Sequence, residues 1–329
     1  MKSASLPLRR SNFLLVATLA ILVSASSAVL AQAADKVWRL GVLSPIVDPH
    51  LGTTLSELAA RGFVEGRNLV VDVRIGTAEQ MPELARELIS TRPDVIMAVS
   101  DWAVEPAHEA TRSIPIVASP MGRDPVAADV AESWARPGRN VTGVTLTAPE
   151  LEIKRLGLLR EVVPAARRIA VLSMHREVTE PAAAPLRATA ARLGIRLIDL
   201  YVNGPDEYDA AFAAMGSAGA EALIIMPMPE FSGHAEQLAA MAAKAGLPTV
   251  CGSREPAKQG CLIGYGPDLT ELRRQAADDV ARIFRGASPS ELPIEGPTHF
   301  DFVINLKTAK SLRLTISPYI LGRADEVIE

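Results

Sequence analysis

"RRIAVLSMHREVTEPAAAPLRATAARLGIRLIDLYV", residues 167–202, contains the pattern that decides the fold. Two short apolar runs, 167–174 and 195–202, have the length and the Ile, Val and Leu content of buried strands. Between them an amphipathic helix is predicted, with an inward face formed by Leu186, Ala190 and Leu193. A strand, a helix and a second strand in this order indicate a βαβ unit and therefore a parallel sheet.

The same alternation continues in both directions along the chain. Further strands are predicted at 37–44, 68–76, 94–100, 114–120, 221–228 and 247–253. A break at 135–150, which contains Pro137-Gly138, divides the strands into two groups. The chain therefore reads as two successive Rossmann-like lobes, each with a parallel sheet.

The carboxyl-terminal part crosses between the lobes. A strand at 261–268 is followed by a long helix at about 269–285, a Pro-rich connection and the run "DFVINL". A chain that returns to the first lobe for one helix and leaves again crosses three times, near 140–147, 262–268 and 296–303. We expect an α/β fold with a three-crossover hinge. The predicted N-terminal lobe is 34–143 plus 266–298, and the C-terminal lobe is 144–265 plus 299–329.

Residues 1–33 read as a secretory signal peptide. Arg9 and Arg10 precede an uncharged apolar block that starts at Phe13, and Ala31-Gln32-Ala33 has the small-x-small pattern of a cleavage site. A membrane anchor is the alternative, because the run is nearly long enough to span a bilayer, but serines dilute its second half. We expect cleavage near Ala33, export by the Sec or the twin-arginine route, and a periplasmic mature chain.

Composition narrows the class of protein. The 329 residues are 48% hydrophobic and only 4% aromatic, which favours Ala-rich helices packed on sheets. The formal net charge is −4, and the predicted leader holds three basic residues and no acid, so the mature chain carries −7. Without a basic run, nucleic-acid binding is not expected. Cys251 and Cys261 form either a disulfide or two buried thiols, and no spacing of Cys and His suggests a zinc site.

Nucleotide-binding and hydrolase motifs are missing after the predicted strands. The chain has no G-x-G-x-x-G loop, no P-loop and no G-x-S-x-G elbow, and its five His residues are scattered. We expect no enzymatic activity and no cofactor. A hydrolase built on the same two lobes is the weaker alternative.

Several blocks, in order along the chain, resemble a known family. They are "GFVEGRNLVVDVR" (62–74), "IPIV" (114–117), "RDPVAADVAESWARPGRNVTGVTL" (123–146), and the segments 150–164, 264–295 and 297–329. Over essentially the whole mature chain these blocks resemble ABC-transporter substrate-binding proteins related to tryptophan/tyrosine-binding lipoproteins. The resemblance implies a type I periplasmic binding fold with a ligand between the lobes.

Departures from the family pattern fall at strand ends. Asp101-Trp102 stand where members often carry Thr-Pro or a similar small pair, and Ser173-Met174-His175 stand where the family often reads Asn-Pro. Changes at strand ends alter ligand choice while leaving the scaffold alone. The identity of the ligand therefore does not carry over with the fold.

Ligands of open α/β sheets bind beyond the carboxyl ends of the strands, which selects candidate contacts. The first lobe offers Ser44, Asp48, His50, Ser100, Asp101, Trp102 and Asp124. The second lobe offers Met174, His175, Met228, Phe231, Arg254 and Glu255, with Tyr265 and Asp268 at the second crossing. Each candidate has an ordinary structural alternative. The two acids Asp48 and Asp124 cap helices or turns, Met228 and Phe231 belong to the core, and Arg254 pairs with Glu255.

The combined prediction is the periplasmic substrate-binding component of an ABC importer, which delivers a small molecule to an inner-membrane permease and its ATPase. Asp101 would meet an ammonium group, Trp102 would cover an apolar or cationic group, and Arg254 would bind a carboxylate. The expected ligand is an amino acid or a related zwitterion. The alternative is a periplasmic sensing module for a membrane receptor. We expect a monomer without a bound metal.

Overall fold

The computed structural model describes residues 36–146, 150–174 and 183–329 and contains two β-sheets. The strands of sheet A are β1 (Trp38–Ser44), β2 (Leu69–Ile75), β3 (Val95–Ala98), β4 (Ile116–Met121), β5 (Val141–Thr145) and β11 (Ile294–Glu295). The strands of sheet B are β6 (Arg168–Ser173), β7 (Arg196–Tyr201), β8 (Ala222–Ile225), β9 (Thr249–Cys251), β10 (Ile263–Pro267), β12 (Phe300–Asn305) and β13 (Glu326–Ile328).

Strand order makes both sheets doubly wound. Sheet A runs β11-β5-β4-β3-β1-β2, and sheet B runs β13-β12-β10-β9-β8-β6-β7. Neighbouring strands are parallel except β10 and β12, which pair antiparallel. The central strands β3 and β4 are buried along their whole length, because a parallel sheet is covered on both faces.

Helices pack on both faces of each sheet. On sheet A they are α1 (Leu51–Ala60), α2 (Met81–Ser90), α3 (Asp101–Ala110) and α10 (Leu269–Phe284). With sheet B lie α4 (Glu150–Val162), α5 (Ala184–Arg192), α6 (Tyr208–Ser217), α7 (Pro229–Ser232), α8 (Ala235–Lys244), α9 (Arg254–Lys258), α11 (Leu306–Ser311) and α12 (Pro318–Leu321). Short 3-10 turns occur at Ala78–Gln80, Pro205–Glu207 and Pro289–Glu291.

Alternate residues of each strand enter different cores. Val42 packs with α1 and α10, whereas the next residue, Leu43, packs with α2 and α3. In sheet B, Val171 faces α4 and α5, whereas Leu172 faces α6 and α8. Each lobe is therefore a helix–sheet–helix sandwich with two apolar layers.

The chain passes between the sheets three times, at the carboxyl ends of β5, β10 and β11. After β5 it enters α4 on sheet B, after β10 it enters α10 on sheet A, and after β11 it enters β12 of sheet B. The last link runs from Glu295 to Phe300 and spans at most about 18 Å when fully extended. The carboxyl edges of the two sheets are therefore held close together around one crevice.

This topology confirms the predicted type I periplasmic binding fold, including its two Rossmann-like lobes and three crossings. The sequence pattern missed β11 and β13, because strands of two or three residues carry almost no periodic signal. The two lobe boundaries, 34–143 plus 266–298 and 144–265 plus 299–329, stay a prediction at the level of single residues.

The structure decides the prediction for the two cysteines but not the prediction of a leader peptide. Cys251 and Cys261 form a disulfide, with Cα atoms 6.4 Å apart, that closes the segment around α9. The predicted leader lies outside the described residues. Within the described part of the chain, no helix combines the length and the apolar content needed to cross a bilayer.

Candidate functional site

The loop after β1 forms one wall of the crevice. Ser44 is buried, and its hydroxyl donates to the carbonyl of Ile46 over 2.7 Å, which tightens the turn that leaves the strand. Oδ1 of Asp48 accepts from the amide of His50 over 2.9 Å, just before α1 begins. Asp48 therefore caps a turn, while the partly buried His50 lies at the start of α1.

Asp48 has a second partner, Arg273, which was not among the candidates chosen beyond the strand ends. Nη2 of Arg273, on α10, lies 3.2 Å from Oδ1 of Asp48, and Nη1 donates to the Ser119 hydroxyl over 2.7 Å. Burial lowers the pKa of Arg273, and the Asp48 charge opposes this shift. Within the described residues, Oδ2 of Asp48 and Nε of Arg273 have no hydrogen-bond partner. This polar cluster fastens the β1–α1 loop to α10.

The amino terminus of α3 forms the next part of the wall. Ser100 precedes the helix with φ of 67°, a left-handed conformation that is strained for a residue with a Cβ. Its hydroxyl is buried, and no described group hydrogen-bonds to it. Left-handed residues of this kind cluster at ligand sites, so Ser100 is a strong candidate contact.

Asp101 holds the neighbouring strand end. Its carboxylate accepts from the amides of Gly122 over 3.1 Å and Arg123 over 3.0 Å, both of which follow β4. Burial raises the pKa of Asp101, and the same two amides counteract the rise. Trp102 is partly buried against the core between α2 and α3. Asp101 therefore already has hydrogen-bond donors before any ligand binds.

Asp124 caps a turn, which is the structural alternative to a ligand contact. Oδ1 accepts from the amides of Val126 and Ala127 over 2.8 and 3.0 Å, and Oδ2 accepts from the indole of Trp134 over 3.3 Å. These bonds are those of a turn cap that also orients Trp134. Asp268 is likewise the N-cap of α10, since its Oδ1 accepts from the amides of Thr270 and Glu271.

Sheet B contributes an apolar and aromatic wall. Met228 follows β8, is partly buried, and packs against the cores on both faces of the sheet. Tyr265 on β10 stacks on Phe300, with ring centroids 6.3 Å apart and planes 22° from parallel. Burial raises the pKa of Tyr265. Phe231 is only 4% exposed and packs on Tyr208, so it belongs to the core.

Arg254 lies at this edge but is paired within the protein. Its Nη2 lies 2.8 Å from Oδ1 of the buried Asp301, and its Nε lies 3.5 Å from Glu326. Its carboxylate partners are therefore Asp301 and Glu326 rather than Glu255, which is partly exposed in the first turn of α9. His175 lies outside the described residues, and the structure reports nothing of it.

Arg155 of α4 is the second residue that the sequence search missed. It is fully buried, and it donates from Nε to the carbonyl of Tyr265 over 2.7 Å and from Nη2 to the carbonyl of Gly252 over 3.1 Å. Its Nη1 contacts the carboxylate of Glu152. Arg155 thereby joins the exit of β9 to β10.

A sequence signal for both arginines existed. Arg155 lies four residues after Leu151 and four before Leu159, and Arg273 lies four after Leu269 and four before Ala277. Each arginine is therefore inside the apolar stripe of its helix. A charge in such a stripe predicts a buried polar partner.

The arrangement is suited to binding. Carboxylate and hydroxyl groups lie after strands of sheet A, and sheet B carries the thioether of Met228 and the aromatic ring of Tyr265. In the described ranges, no group of His, Cys, Asp or Glu is placed to hold a metal ion.

Comparison with known proteins identifies the family of this chain. The family model "ABC transporter substrate binding protein" matches residues 45–328. A tyrosine-binding protein of Clostridioides difficile is 24% identical over 279 residues, which are 82% of this chain and 77% of that protein.

Solved structures agree. A conserved domain protein of Vibrio cholerae is 26% identical with a TM-score of 0.80, over 89% of this chain and 100% of that one. An ABC domain in complex with L-Trp from Streptococcus pneumoniae is 20% identical with a TM-score of 0.79, over 88% and 99%.

Proposed function

This chain belongs to the family of ABC transporter substrate-binding proteins, and from this membership we propose that it captures an amino acid between its lobes and delivers it to an inner-membrane permease. The family match over residues 45–328 carries the proposal. The crevice supports it, because both sheets direct the carboxyl ends of their strands into one space.

Aromatic amino acids are the ligands that we propose first. One relative is named for tyrosine, and one structural neighbour was solved with L-Trp. An aromatic side chain suits the Met228 and Tyr265 surface of sheet B, since aromatic rings gain from offset stacking and from contact with thioether sulfur. An ammonium group suits the partly buried Asp101 carboxylate at the start of α3.

A thermal-shift and calorimetric screen tests this assignment. L-Tyr and L-Trp are expected to raise the melting temperature, because a ligand of the native state alone stabilises that state. Neutral sugars and nucleosides serve as comparison compounds. Melting-temperature gains with these compounds and none with amino acids would show that the ligand class is wrong while family membership stands.

Asp101→Asn tests the proposed ammonium contact. We expect at least a tenfold weaker affinity for the amino acid, because the partner charge loses its counterpart in a desolvated crevice. Asp209→Asn removes the same charge from an exposed position on α6 and should bind like wild type. Equal affinities of the two variants would show that Asp101 does not contact the ligand.

Export is the second part of the proposal. The predicted leader and the family support a periplasmic location, and intact-mass spectrometry of periplasmic protein should give a chain that begins at or near Ala34. A chain that keeps residues 1–33 in the membrane fraction would contradict it.

A further inference from the structure

A surface cavity that is open to solvent lies at the opposite edge of sheet A from the crevice. It has a volume of about 290 Å³ and is lined by His108, Arg112, Arg139 and Asn140. His108 is in the last turn of α3, and Asn140 directly precedes β5, so both lie where strands β4 and β5 begin. The proposed amino-acid site lies where these strands end.

The base of the cavity is a buried hydrogen-bond chain. Nδ2 of Asn140 donates to the carbonyls of Thr111 and Ile114 over 3.0 and 2.9 Å. Its Oδ1, which can only accept, therefore faces Nδ1 of His108 at 2.8 Å. Nδ1 must carry the hydrogen, which leaves Nε2 as an acceptor for the guanidinium of Arg112.

His108 is suited to this neutral role. It is 3% exposed, and burial lowers its pKa, while the Asn140 bond opposes the shift and the Arg112 charge adds to it. A neutral imidazole can accept from a guanidinium without cancelling its charge. His108 thus fixes the direction of Arg112 and leaves it cationic.

The two arginines differ in how their charge is compensated. Arg139 is held by Asp129, with Nη2 and Oδ1 2.7 Å apart, and Asp129 is exposed on the rim. Arg112 is exposed and forms no ion pair within the described residues, although the charge of Asp129 acts on it at longer range. With His108 neutral, the cluster of Arg112, Arg139 and Asp129 carries one uncompensated positive charge.

An oriented guanidinium beside a second one matches a tetrahedral oxyanion. Arginine presents its donors in a planar fork that binds phosphate oxygens in pairs, and charge-assisted bonds of this kind are stronger than neutral ones. We propose that this cavity binds a small phosphate-type oxyanion, at a site separate from the amino-acid crevice, with Arg112 as its principal ligand.

Calorimetry with inorganic phosphate tests the proposal on the full mature chain, with sodium chloride of equal ionic strength as the blank. Arg112→Gln should weaken phosphate binding at least tenfold, and Arg112→Lys, which keeps the charge but loses the fork, should fall between. Arg86→Gln removes a positive charge from an exposed position on α2 of the same lobe and should bind phosphate like wild type. Circular dichroism confirms that each variant is folded.

The source of the anion is separated by a second arm, in which vesicles of phosphatidylcholine with and without phosphatidic acid are sedimented with the protein. Co-sedimentation that needs both phosphatidic acid and Arg112 identifies a lipid headgroup, whereas binding of free phosphate alone identifies a soluble ion. Both results support the site. Phosphate heats equal to those of the chloride blank together with no Arg112-dependent co-sedimentation, or equal binding by Arg112→Gln and Arg86→Gln in both assays, would overturn it. Amino-acid affinity should be the same in all variants, because the crevice is at the other edge.

Discussion

Nη2 of Arg273 lies 3.2 Å from Oδ1 of Asp48, although 225 positions of sequence separate the two residues. The side chains are only 6% and 2% exposed, so the pair joins α10 to the β1–α1 loop away from water. Removing one member of such a pair strands a buried charge, whereas an exposed pair contributes little.

Arg273→Met should therefore lower the free energy of unfolding by about 3 to 5 kcal/mol. Arg274→Met is the matched control, because the Arg274 side chain is 48% exposed and pairs with Glu57 at the surface. Its loss should stay below about 1 kcal/mol. Urea unfolding followed by circular dichroism measures both, and equal losses would mean that the buried pair contributes no more than a surface one.

Gly266 should not tolerate a side chain. A Cβ at this position would lie 1.7 Å from the carbonyl oxygen of Gly252, where the exit of β9 meets β10. Gly266→Ala must push the strands apart, and we expect it to lower the free energy of unfolding by about 1 to 3 kcal/mol, measured by thermal unfolding. Gly157→Ala, inside α4 with open space around it, should instead stabilise by about 0.5 to 1 kcal/mol. The opposite order of melting temperatures would contradict the contact.

The Cys251–Cys261 disulfide should contribute to stability under oxidising conditions. It closes a short loop that contains α9, and a bond of this kind is worth about 2 to 3 kcal/mol through the unfolded chain. Reductant should lower the melting temperature of wild type towards that of the double variant Cys251→Ala/Cys261→Ala, and leave the double variant unchanged. Free thiols in the oxidised protein by mass spectrometry would show that the bond does not form.

Asp279 on α10 should make stability depend on pH. Burial raises its pKa from 3.8 to about 7; Arg282 opposes the rise, and Glu295 adds to it. The folded chain then binds more protons than the unfolded chain between about pH 4 and 7. The free energy of unfolding therefore falls as pH rises through this window, by up to about 4 kcal/mol.

Asp279→Asn removes this dependence and should be more stable than wild type at pH 8. Asp209→Asn, at an exposed position on α6 of the other lobe, should keep the wild-type slope. Urea unfolding at pH 5 and pH 8 gives the comparison, and a flat wild-type profile would place the pKa of Asp279 near its ordinary value.

The fold was predictable because strands buried on both faces are apolar runs bounded by turns, and this pattern survives without tertiary information. The site was less predictable from the sequence. A carboxylate at a strand end serves a ligand or a backbone amide equally well, and Asp124 and Asp268 bind amides. Arg155 and Arg273 were missed because a search of strand ends does not examine helix stripes.

Arg155 and Arg273 each lie in the second turn of the helix that follows a crossing, and each ties that helix to groups at its own sheet edge. Arg155 holds its helix to backbone carbonyls of sheet B, and Arg273 holds its helix to Ser119 and Asp48 of sheet A. Neither tie uses Ser100, Trp102 or Met228. Libraries that vary Ser100, Trp102 and Met228 while keeping both arginines should yield folded receptors with new solute preferences. The same separation makes the chain a practical starting point for biosensors, since a reporter dye at a crossing would report any ligand-driven lobe movement whichever solute is recognised.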